Sequence, residues 1–453
     1  MEDLLKATAA RAWRYLQSLN ERSVAPTPEA IEHLSRLDEP LPDTPTDDET
    51  VIALLDEIGS PATMASAGSR FFGFVIGGAL PAALAANWLA GAWDQNAGIV
   101  AASPIAAKLE EVAMRWLLDA LRLPSTCGVG FVTCATQANF SGLAAARHAL
   151  LARQGWNVET QGLFGAPPIT VVIGDEVHVS VLKALTLLGL GRERVIRVPV
   201  DGQGRMRADA LPPLDDNTIV CIQAGNVNTG AFDPADAIIP QAKTAGAWVH
   251  VDGAFGLWAA ASPARRYLAQ GVEDAHSWAT DAHKWLNVPY DSGIVFVREP
   301  QHLHAAMSVN AAYLAQGETR EPFHYTPDFS RRARGAEVWA ALRSLGREGL
   351  ADLIERTCRH AARFAEGLRD AGYEVINDVA LNQALVSFGD AETTRRVIAA
   401  IQEEGTCWCG GTVWQGQTAM RISVSSWATT DEDVERSLEA MIRVAATYAK
   451  QEP

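Results

Sequence analysis

Short apolar runs alternate with helical repeats of apolar positions in the middle of the chain, from about residue 105 to residue 300. Short apolar runs predict buried strands, and apolar residues at helical spacing predict helices. The predicted strands are 130–133, 169–173, 218–223, 247–251 and 293–297, and the predicted helices are 106–121, 137–153, 179–188 and 234–245. This alternation indicates an α/β fold with a mostly parallel sheet covered on both faces. In such a sheet, ligands bind at the carboxyl ends of the strands.

The pattern changes on both sides of this region. Residues 1–65 form a predicted N-terminal helical arm, in which an amphipathic helix is followed by a linker rich in Pro and Asp. Residues 66–335 form a predicted large domain, and residues 336–453 a predicted small α/β domain. The predicted helices of the small domain are 337–345, 350–371, 393–404 and 430–448, and its predicted strands are 373–376, 384–388 and 420–424. Because the arm has little core of its own, we expect it to pack on a second copy of the chain.

Composition narrows the classes of partner. The chain has 453 residues, with 38 Lys and Arg against 54 Asp and Glu, and a net charge of −16. An acidic balance argues against a nucleic acid or an anionic membrane surface as partner. The apolar stretch 71–93 is interrupted by glycines, Pro81 and Asn87, so we predict buried protein there and no membrane span. The six cysteines lack the spacing of a metal site or disulfide framework, and we expect reduced thiols in the cytoplasm.

Lys284 follows a strand-like stretch, in the segment Trp278-Ala-Thr-Asp-Ala-His-Lys-Trp. Its neighbours Trp285 and Leu286 are apolar, and loss of water favours the neutral amine, the form that attacks an aldehyde. A lysine that extends its ammonium past apolar neighbours into solvent fits the same local sequence. The segment alone therefore leaves both interpretations open.

Asp252 ends the predicted strand that begins near Trp248 and is followed by Gly253. A carboxylate at the end of a buried strand requires a cationic or hydrogen-bonding partner. A protonated pyridine nitrogen is one candidate, and a helix cap or a structural salt bridge is another. Since Lys284 also falls at a strand end, the pair favours a ligand site over two unrelated structural roles.

Two further segments supply candidates for the same edge of the sheet. The segment Thr133-Cys-Ala-Thr-Gln-Ala-Asn runs from a strand into a helix, and its small residues leave backbone N–H groups able to bind an anion. Ala135 and Thr136 are the candidate phosphate contacts. His178 follows the strand 169–173, where an imidazole either stacks on a flat cofactor or has a structural role.

These segments together resemble the group II pyridoxal-phosphate-dependent decarboxylases, the family of aromatic-amino-acid, histidine and glutamate decarboxylases. The matching segments follow the family's order over nearly the whole chain; they are Arg70-Phe-Phe-Gly, Ser103-Pro-Ile-Ala-Ala-Lys-Leu-Glu, Thr133-Cys-Ala-Thr-Gln-Ala-Asn, His178, His250-Val-Asp-Gly-Ala and His283-Lys-Trp. The resemblance implies the fold type I of pyridoxal-phosphate enzymes, with a mostly parallel seven-stranded sheet in the large domain. It also implies a homodimer.

The resemblance further implies a role for each candidate residue. It places the cofactor covalently on Lys284, with Asp252 at the pyridine nitrogen. It places Ala254 against one face of the ring and His178, with a catalytic role, against the other. Ala135, Thr136 and His283 complete the predicted cofactor contacts.

The chain departs from the family's pattern in two places. The family usually has Ser-Glu where this chain has Thr136-Gln137, but Thr136 keeps a hydroxyl, so phosphate binding is retained. The family usually has Asn-Pro where this chain has Asp281-Ala282. A carboxylate near a phosphate is repulsive, so Asp281 either faces away or is offset by His283. We therefore predict no functional role for Asp281.

The groups around the substrate's Cα decide which reaction such an enzyme performs, because the fold does not. Tyr313 lies before the polar stretch 316–334, which has the composition of a lid. In the decarboxylases a tyrosine at this place protonates Cα, so Tyr313 is the predicted proton donor; a packed loop tyrosine is the alternative. Phe74 matches the region that lines the family's substrate pocket and favours an apolar or aromatic side chain. Arg421 is the candidate for binding the substrate carboxylate.

We therefore predict a pyridoxal-phosphate-dependent decarboxylase that converts an L-amino acid to the amine and carbon dioxide. If Arg421 holds the α-carboxylate in the plane of the cofactor ring, an aminotransferase or a C–C lyase becomes the alternative. A non-catalytic protein that has kept the fold is a remote third hypothesis. Retention of Lys284, Asp252, His178 and Tyr313 argues against it.

Overall fold

The computed structural model describes residues 1–309 and 320–449. The strands in these ranges are β1 Gly128–Val132, β2 Thr170–Gly174, β3 Ile196–Val198, β4 Thr218–Gln223, β5 Trp248–Asp252, β6 Ser277–Asp281, β7 Gly293–Val297, β8 Glu374–Val375, β9 Gln383–Ser387, β10 Gly410–Trp414 and β11 Gln417–Ser423. The α-helices are α1 Glu2–Ser18, α2 Pro28–Glu32, α3 Asp48–Leu54, α4 Ser60–Ala62, α5 Pro81–Trp93, α6 Pro104–Ala120, α7 Ala135–Arg153, α8 Val158–Gln161, α9 Val179–Leu187, α10 Ala235–Thr244, α11 Pro300–Met307, α12 Arg334–Asp370, α13 Ala391–Glu404 and α14 Asp431–Ala449.

Strands β1 to β7 form one seven-stranded sheet in the order β1-β7-β6-β5-β4-β2-β3. Strand β7 is antiparallel to both of its neighbours, and the other pairings are parallel. Because β1 and β6 both run opposite to β7, the carboxyl ends of β1, β2, β4, β5 and β6 share one edge of the sheet. The predicted α/β fold with a mostly parallel seven-stranded sheet is confirmed.

The described chain separates into two compact units, each built from segments that are distant in sequence. The first unit comprises Met1–Gly78, His360–Ile376 and the described residues from Ala384 onward. The second unit comprises Ala79–Arg359 and Asn377–Gln383, and it contains the seven-stranded sheet. The division into an arm, a large domain and a small domain at residues 65 and 335 stays a prediction.

Helix α7 is the helix of the second unit that matters most for the candidate site. Most of its residues are buried, and many of them are Ala, Ser or Gly. Small side chains let the helix lie close to the sheet: a Cβ added at Gly142 would lie 2.8 Å from Cε1 of His250 on β5. The start of α7 is brought equally close to β7, since a Cβ at Gly293 would lie 2.5 Å from the carbonyl carbon of Cys134.

The first unit contains a four-stranded sheet in the order β10-β11-β9-β8. A segment from the N-terminal part of the chain joins these C-terminal strands: Phe72 N donates to Trp408 O at 2.8 Å, and Ser423 N donates to Phe72 O at 2.9 Å. This pairing holds the two ends of the chain in one unit, which no local pattern along the sequence predicts. Among the described helices, none has both the length and the apolar character required to cross a membrane.

Candidate active site

The structure places Asp252 and Lys284 at the carboxyl ends of neighbouring strands of the second unit. Asp252 is the last residue of β5, and Lys284 follows shortly after Asp281, the last residue of β6. The two strands are paired in parallel, so their carboxyl ends lie side by side. The loops after them are tied together, because Asp281 N donates to Ala254 O at 2.9 Å and Ala254 N donates to Asp252 Oδ1 at 3.2 Å.

The Lys284 amine contacts a buried carboxylate. Its Nζ lies 2.9 Å from Oδ2 of Asp281, and the Lys284 side chain is 20% exposed against 3% for Asp281. The same carboxylate accepts a hydrogen bond from Ala135 N through Oδ1, at 2.5 Å. Asp281 therefore does not face away from the site. It links the lysine to the first residue of α7.

The nearby imidazole does not supply a full positive charge to offset Asp281. His283 Nε2 lies 3.7 Å from Oδ1 of Asp281. Burial lowers the pKa of His283, although the Asp281 charge opposes this effect, and a lowered pKa favours the neutral ring. The His283 ring is held by a hydrogen bond from Ser292 N to Nδ1 at 3.0 Å and by stacking on Tyr290 with centroids 4.2 Å apart.

The beginning of α7 has the form of an anion site. Strand β1 leads directly into the helix, and Cys134 at the N-cap makes no side-chain capping bond. Unpaired N–H groups at a helix N-terminus attract anions, since the helix dipole adds to their partial charge. In this structure the Asp281 carboxylate lies at that position against Ala135. Ala135 and Thr136, the predicted phosphate contacts, thus lie at the same edge as Lys284.

The Asp252 carboxylate is held by two side chains that the sequence did not single out. Its Oδ2 accepts from Asn139 Nδ2 at 3.1 Å and from Ser180 Oγ at 3.4 Å. Ser180 Oγ also lies 2.7 Å from Nδ1 of His178, whose Nδ1 accepts from Ser180 N at 3.3 Å. His178 is therefore joined to Asp252 through one hydroxyl group. The position of Asn139 one turn after Ala135, on the buried face of α7, was the available sequence signal.

Phe74 and Arg421 lie in the first unit. Phe74 has a positive φ of 53° and is 60% exposed as a residue, and its ring stacks on Trp408 with centroids 5.7 Å apart. Trp408 also stacks on Phe71 at 5.1 Å, with ring planes only 6° apart. A side chain at Gly73 would overlap the Trp408 ring, so glycine is required there. Arg421 lies on β11 opposite Gly410.

Trp408 was missed by the sequence analysis because it lies between two cysteines far from the Phe71–Phe74 segment, and only the paired backbone brings them together. Tyr313 lies outside the described residues, so its predicted role stays a prediction.

Two histidines, the buried His250 on β5 and the partly buried His276 directly before β6, give a pH-dependent stability. Burial lowers the pKa of His250 and of His276 to about 4 in each case, whereas both titrate near 6.5 when unfolded. The unfolded chain therefore binds more protons between about pH 6.5 and pH 4, and stability falls as pH is lowered through this window. Burial raises the pKa of Asp233 to about 6. This single group has the opposite effect on stability, because its protonated form is favoured in the folded protein as the pH is lowered. We expect the urea midpoint of the protein to be lower at pH 5 than at pH 7; an equal or higher midpoint at pH 5 would contradict this.

The groups at the strand edge match the functional groups of pyridoxal phosphate. Asp252 would present a buried carboxylate to a protonated pyridine nitrogen, Lys284 would present an amine to the aldehyde, and the start of α7 would present N–H groups to a phosphate. The Asp281 carboxylate against Ala135 is the one feature that a bound phosphate would have to accommodate.

Comparison with known proteins agrees with this chemistry. The family model described as "Pyridoxal-dependent decarboxylase conserved domain" matches residues 31–389. Tryptophan decarboxylase 1 of Oryza sativa subsp. japonica is 28% identical over 423 residues, covering 84% of this chain and 81% of that protein. The aromatic-L-amino-acid decarboxylase of Drosophila lebanonensis is 28% identical over 405 residues, covering 82% and 96%. The L-2,4-diaminobutyrate decarboxylase of Rhizobium meliloti (strain 1021) is 27% identical over 383 residues, covering 79% and 74%.

Solved structures establish the same fold. The crystal structure of Oryza sativa TDC with PLP and tryptamine has a TM-score of 0.90 at 23% identity, and the match covers 98% of this chain and 97% of that one. Catharanthus roseus tryptophan decarboxylase in complex with L-tryptophan has a TM-score of 0.87 at 20% identity, covering 99% and 98%. The chain belongs to the pyridoxal-dependent decarboxylase family, and it is a pyridoxal-phosphate-dependent amino-acid decarboxylase of fold type I.

Proposed function

We propose that this enzyme decarboxylates an L-amino acid with an apolar or aromatic side chain, releasing the amine and carbon dioxide. The observation that carries the choice of side chain is the aromatic stack formed by Phe71, Trp408 and Phe74, whose outer ring is largely exposed. Aromatic rings favour stacked and edge-on contacts with other rings, which makes this stack suited to an aromatic substrate. Relatives that act on tryptophan and on aromatic L-amino acids support the proposal.

The proposed roles follow from the chemistry of each group. Bound pyridoxal phosphate supplies an electron sink for the carbon that loses its carboxylate. Lys284 holds the cofactor covalently, and Asp252 keeps a proton on the pyridine nitrogen. His178 and Ala254 flank the ring, while Ala135, Thr136 and His283 contribute to the cofactor site. Tyr313 delivers a proton to Cα, and Phe74 and Arg421 bind the substrate.

A screen of the amino acids for carbon dioxide release tests the proposed function. We expect release from aromatic or large apolar L-amino acids, with one equivalent of amine for each carbon dioxide. Release from histidine or a diamino acid alone would contradict the proposed substrate class, since relatives with those activities exist. If no amino acid releases carbon dioxide but amino groups are exchanged with a keto acid, an aminotransferase replaces the decarboxylase.

Removing the middle ring of the aromatic stack is expected to weaken substrate binding selectively. An aromatic pair contributes about 0.5–1.5 kcal/mol beyond its buried area, so Trp408→Ala should raise KM for an aromatic substrate about 2- to 10-fold. The KM of a small aliphatic substrate should change much less. Tyr373→Ala serves as the matched control, since it also removes one ring of an aromatic pair in the same unit, in which Tyr373 contacts Phe388 with ring centroids 4.9 Å apart. Equal changes of KM for both substrates would count against a role in side-chain recognition.

The N-terminal arm is expected to be part of a homodimer interface. Helix α1 has no buried side chain, and Leu5 and Trp13 are 60% and 61% exposed although the helix is amphipathic. Large apolar side chains that an amphipathic helix leaves exposed favour an interaction site on that helix. We expect light scattering at micromolar concentration to give the mass of two chains, and removal of residues 1–19 to shift the protein towards monomer. A fully active monomer of the intact chain would contradict this prediction.

A further inference from the structure

Four hydrogen bonds join five buried side chains of the second unit into one chain of contacts. Trp248 Nε1 donates to Ser277 Oγ at 2.9 Å, and Ser277 Oγ lies 2.8 Å from His250 Nδ1. His250 Nε2 lies 2.8 Å from Asn139 Oδ1, and Asn139 Nδ2 donates to Asp252 Oδ2 at 3.1 Å. The five residues are between 0% and 4% exposed. We call this series the Trp248–Asp252 relay.

The carboxylate at one end of the relay and the neutral imidazole at its centre determine the direction of the bonds. A carboxylate can only accept, so the Asn139 amide nitrogen donates to Asp252 and the Asn139 carbonyl accepts from His250 Nε2. A neutral imidazole with its hydrogen on Nε2 accepts at Nδ1, so Ser277 donates to Nδ1 while its oxygen accepts from the Trp248 indole. The imidazole is neutral in this arrangement, in agreement with the lowering of the His250 pKa to about 4 by burial.

The packing of α7 against β5 holds the residues of the relay in place. Helix α7 carries Asn139, and the same helix lies against the His250 ring, since a Cβ at Gly142 would lie 2.8 Å from His250 Cε1 and 3.0 Å from Nδ1. Trp248, His250 and Asp252 are alternate residues of β5, and their side chains therefore point to one face of the sheet. The relay thus holds one face of β5 to α7 in a single register.

We propose that His250 and Asn139 are positioning residues that orient the Asp252 carboxylate towards the pyridine nitrogen of the cofactor. The proposal rests on the role of Asp252 in the proposed function. The relay ends on one atom, Oδ2, while Oδ1 of the same group accepts from Ala254 N at 3.2 Å. Because both oxygens are held, the rotation of the carboxylate is set before any ligand arrives. A carboxylate that is already oriented binds its ligand more tightly, since binding then does not cost the entropy of fixing the side chain.

The relay should therefore control cofactor affinity. The free energy of a hydrogen bond to a charged group is large enough that losing the bond weakens cofactor binding by roughly 10- to 100-fold. We expect Asn139→Leu and His250→Phe to raise the dissociation constant of pyridoxal phosphate by about that factor, measured from the absorbance of the holoenzyme on dilution. His250→Gln keeps a donor near the place of Nε2 and should restore part of the affinity. Ser277→Ala removes only a hydroxyl and tests the relay if the larger substitutions prevent folding.

A matched pair of tryptophans separates the relay from general packing. Trp248→Phe removes the N–H that begins the relay. Trp278→Phe removes an equally buried indole N–H of the same sheet, which donates to Val272 O and takes no part in the relay. We expect weaker cofactor binding in the first variant and unchanged binding in the second. Equal effects of the two substitutions would overturn the proposal.

A double-mutant cycle with Asp252→Asn shows whether His250 acts through Asp252. In the Asp252→Asn background, His250→Phe should have no further effect on the dissociation constant of pyridoxal phosphate. Additive effects would overturn the relay but leave the proposed role of Asp252 standing. If Asp252→Asn alone leaves the affinity unchanged, the role of Asp252 is wrong and the relay proposal falls with it.

Discussion

Replacing Lys284 with alanine is expected to reduce turnover by several orders of magnitude. In the proposed function the ε-amine holds the cofactor covalently and binds it again when the product leaves, and alanine can do neither. Borohydride reduction of the native holoenzyme, followed by peptide mapping, should find the pyridoxyl label on Lys284. The label on another lysine would contradict the assignment. Lys183→Ala is the control, since Lys183 is an exposed lysine of the same unit.

The loss of Lys284 also removes the partner of a buried carboxylate, and this effect must be separated from catalysis. Breaking a buried ion pair by removing one partner destabilises a protein because an uncompensated charge remains. Lys284→Ala is therefore expected to lower the free energy of unfolding, although Ala135 N still donates to Asp281. The double variant Lys284→Ala, Asp281→Asn should recover stability without recovering turnover. Recovered turnover in that variant would show that Lys284 is not the essential amine.

Replacing Tyr313 with phenylalanine is expected to slow amine formation by about 10²- to 10⁴-fold, the usual contribution of one positioned acid. Without a proton donor at Cα, carbon dioxide can still be released, and a carbonyl compound is expected to replace the amine as product, either because molecular oxygen oxidises that carbon or because the amino group stays on the cofactor. The ratio of amine to carbon dioxide measures this change directly. The cofactor absorbance should remain as in the native enzyme, since the proposed cofactor contacts are untouched.

Tyr325→Phe is the control for this substitution, because Tyr325 is a described tyrosine of the second unit for which no catalytic role is proposed. It should leave the ratio of amine to carbon dioxide unchanged. If Tyr313→Phe alters KM alone, Tyr313 contacts the substrate and another group delivers the proton.

Much of the fold could be predicted from the sequence, because most buried strands of the large sheet are short apolar runs. The strands 218–223 and 293–297 coincide with β4 and β7. The predicted helices 337–345 and 350–371 correspond to α12, which is interrupted at Gly346 with a φ of 60°. Strand β3 has three residues, of which two are exposed, and it therefore leaves no apolar run to detect.

The candidate site was predicted in part for the same reason. A carboxylate or an amine directly after an apolar strand is visible in the sequence, and parallel strands bring their carboxyl ends to one edge. Asp252 and Lys284 were found in this way. The environment of Asp281 was not, because its contacts with Ala135 and Lys284 depend on how α7 approaches β6.

By itself, the sequence determined the class of fold, the family and the residue types at the ends of the strands, because these depend on local apolar periodicity and on short motifs. Only the tertiary structure decided which side chains meet. It joined Asn139 and Ser180 to Asp252, His250 to Asn139, and Trp408 to Phe74. Each of these contacts links segments that are far apart in sequence. Their geometry is set by the packing of whole helices and strands, which no local pattern specifies.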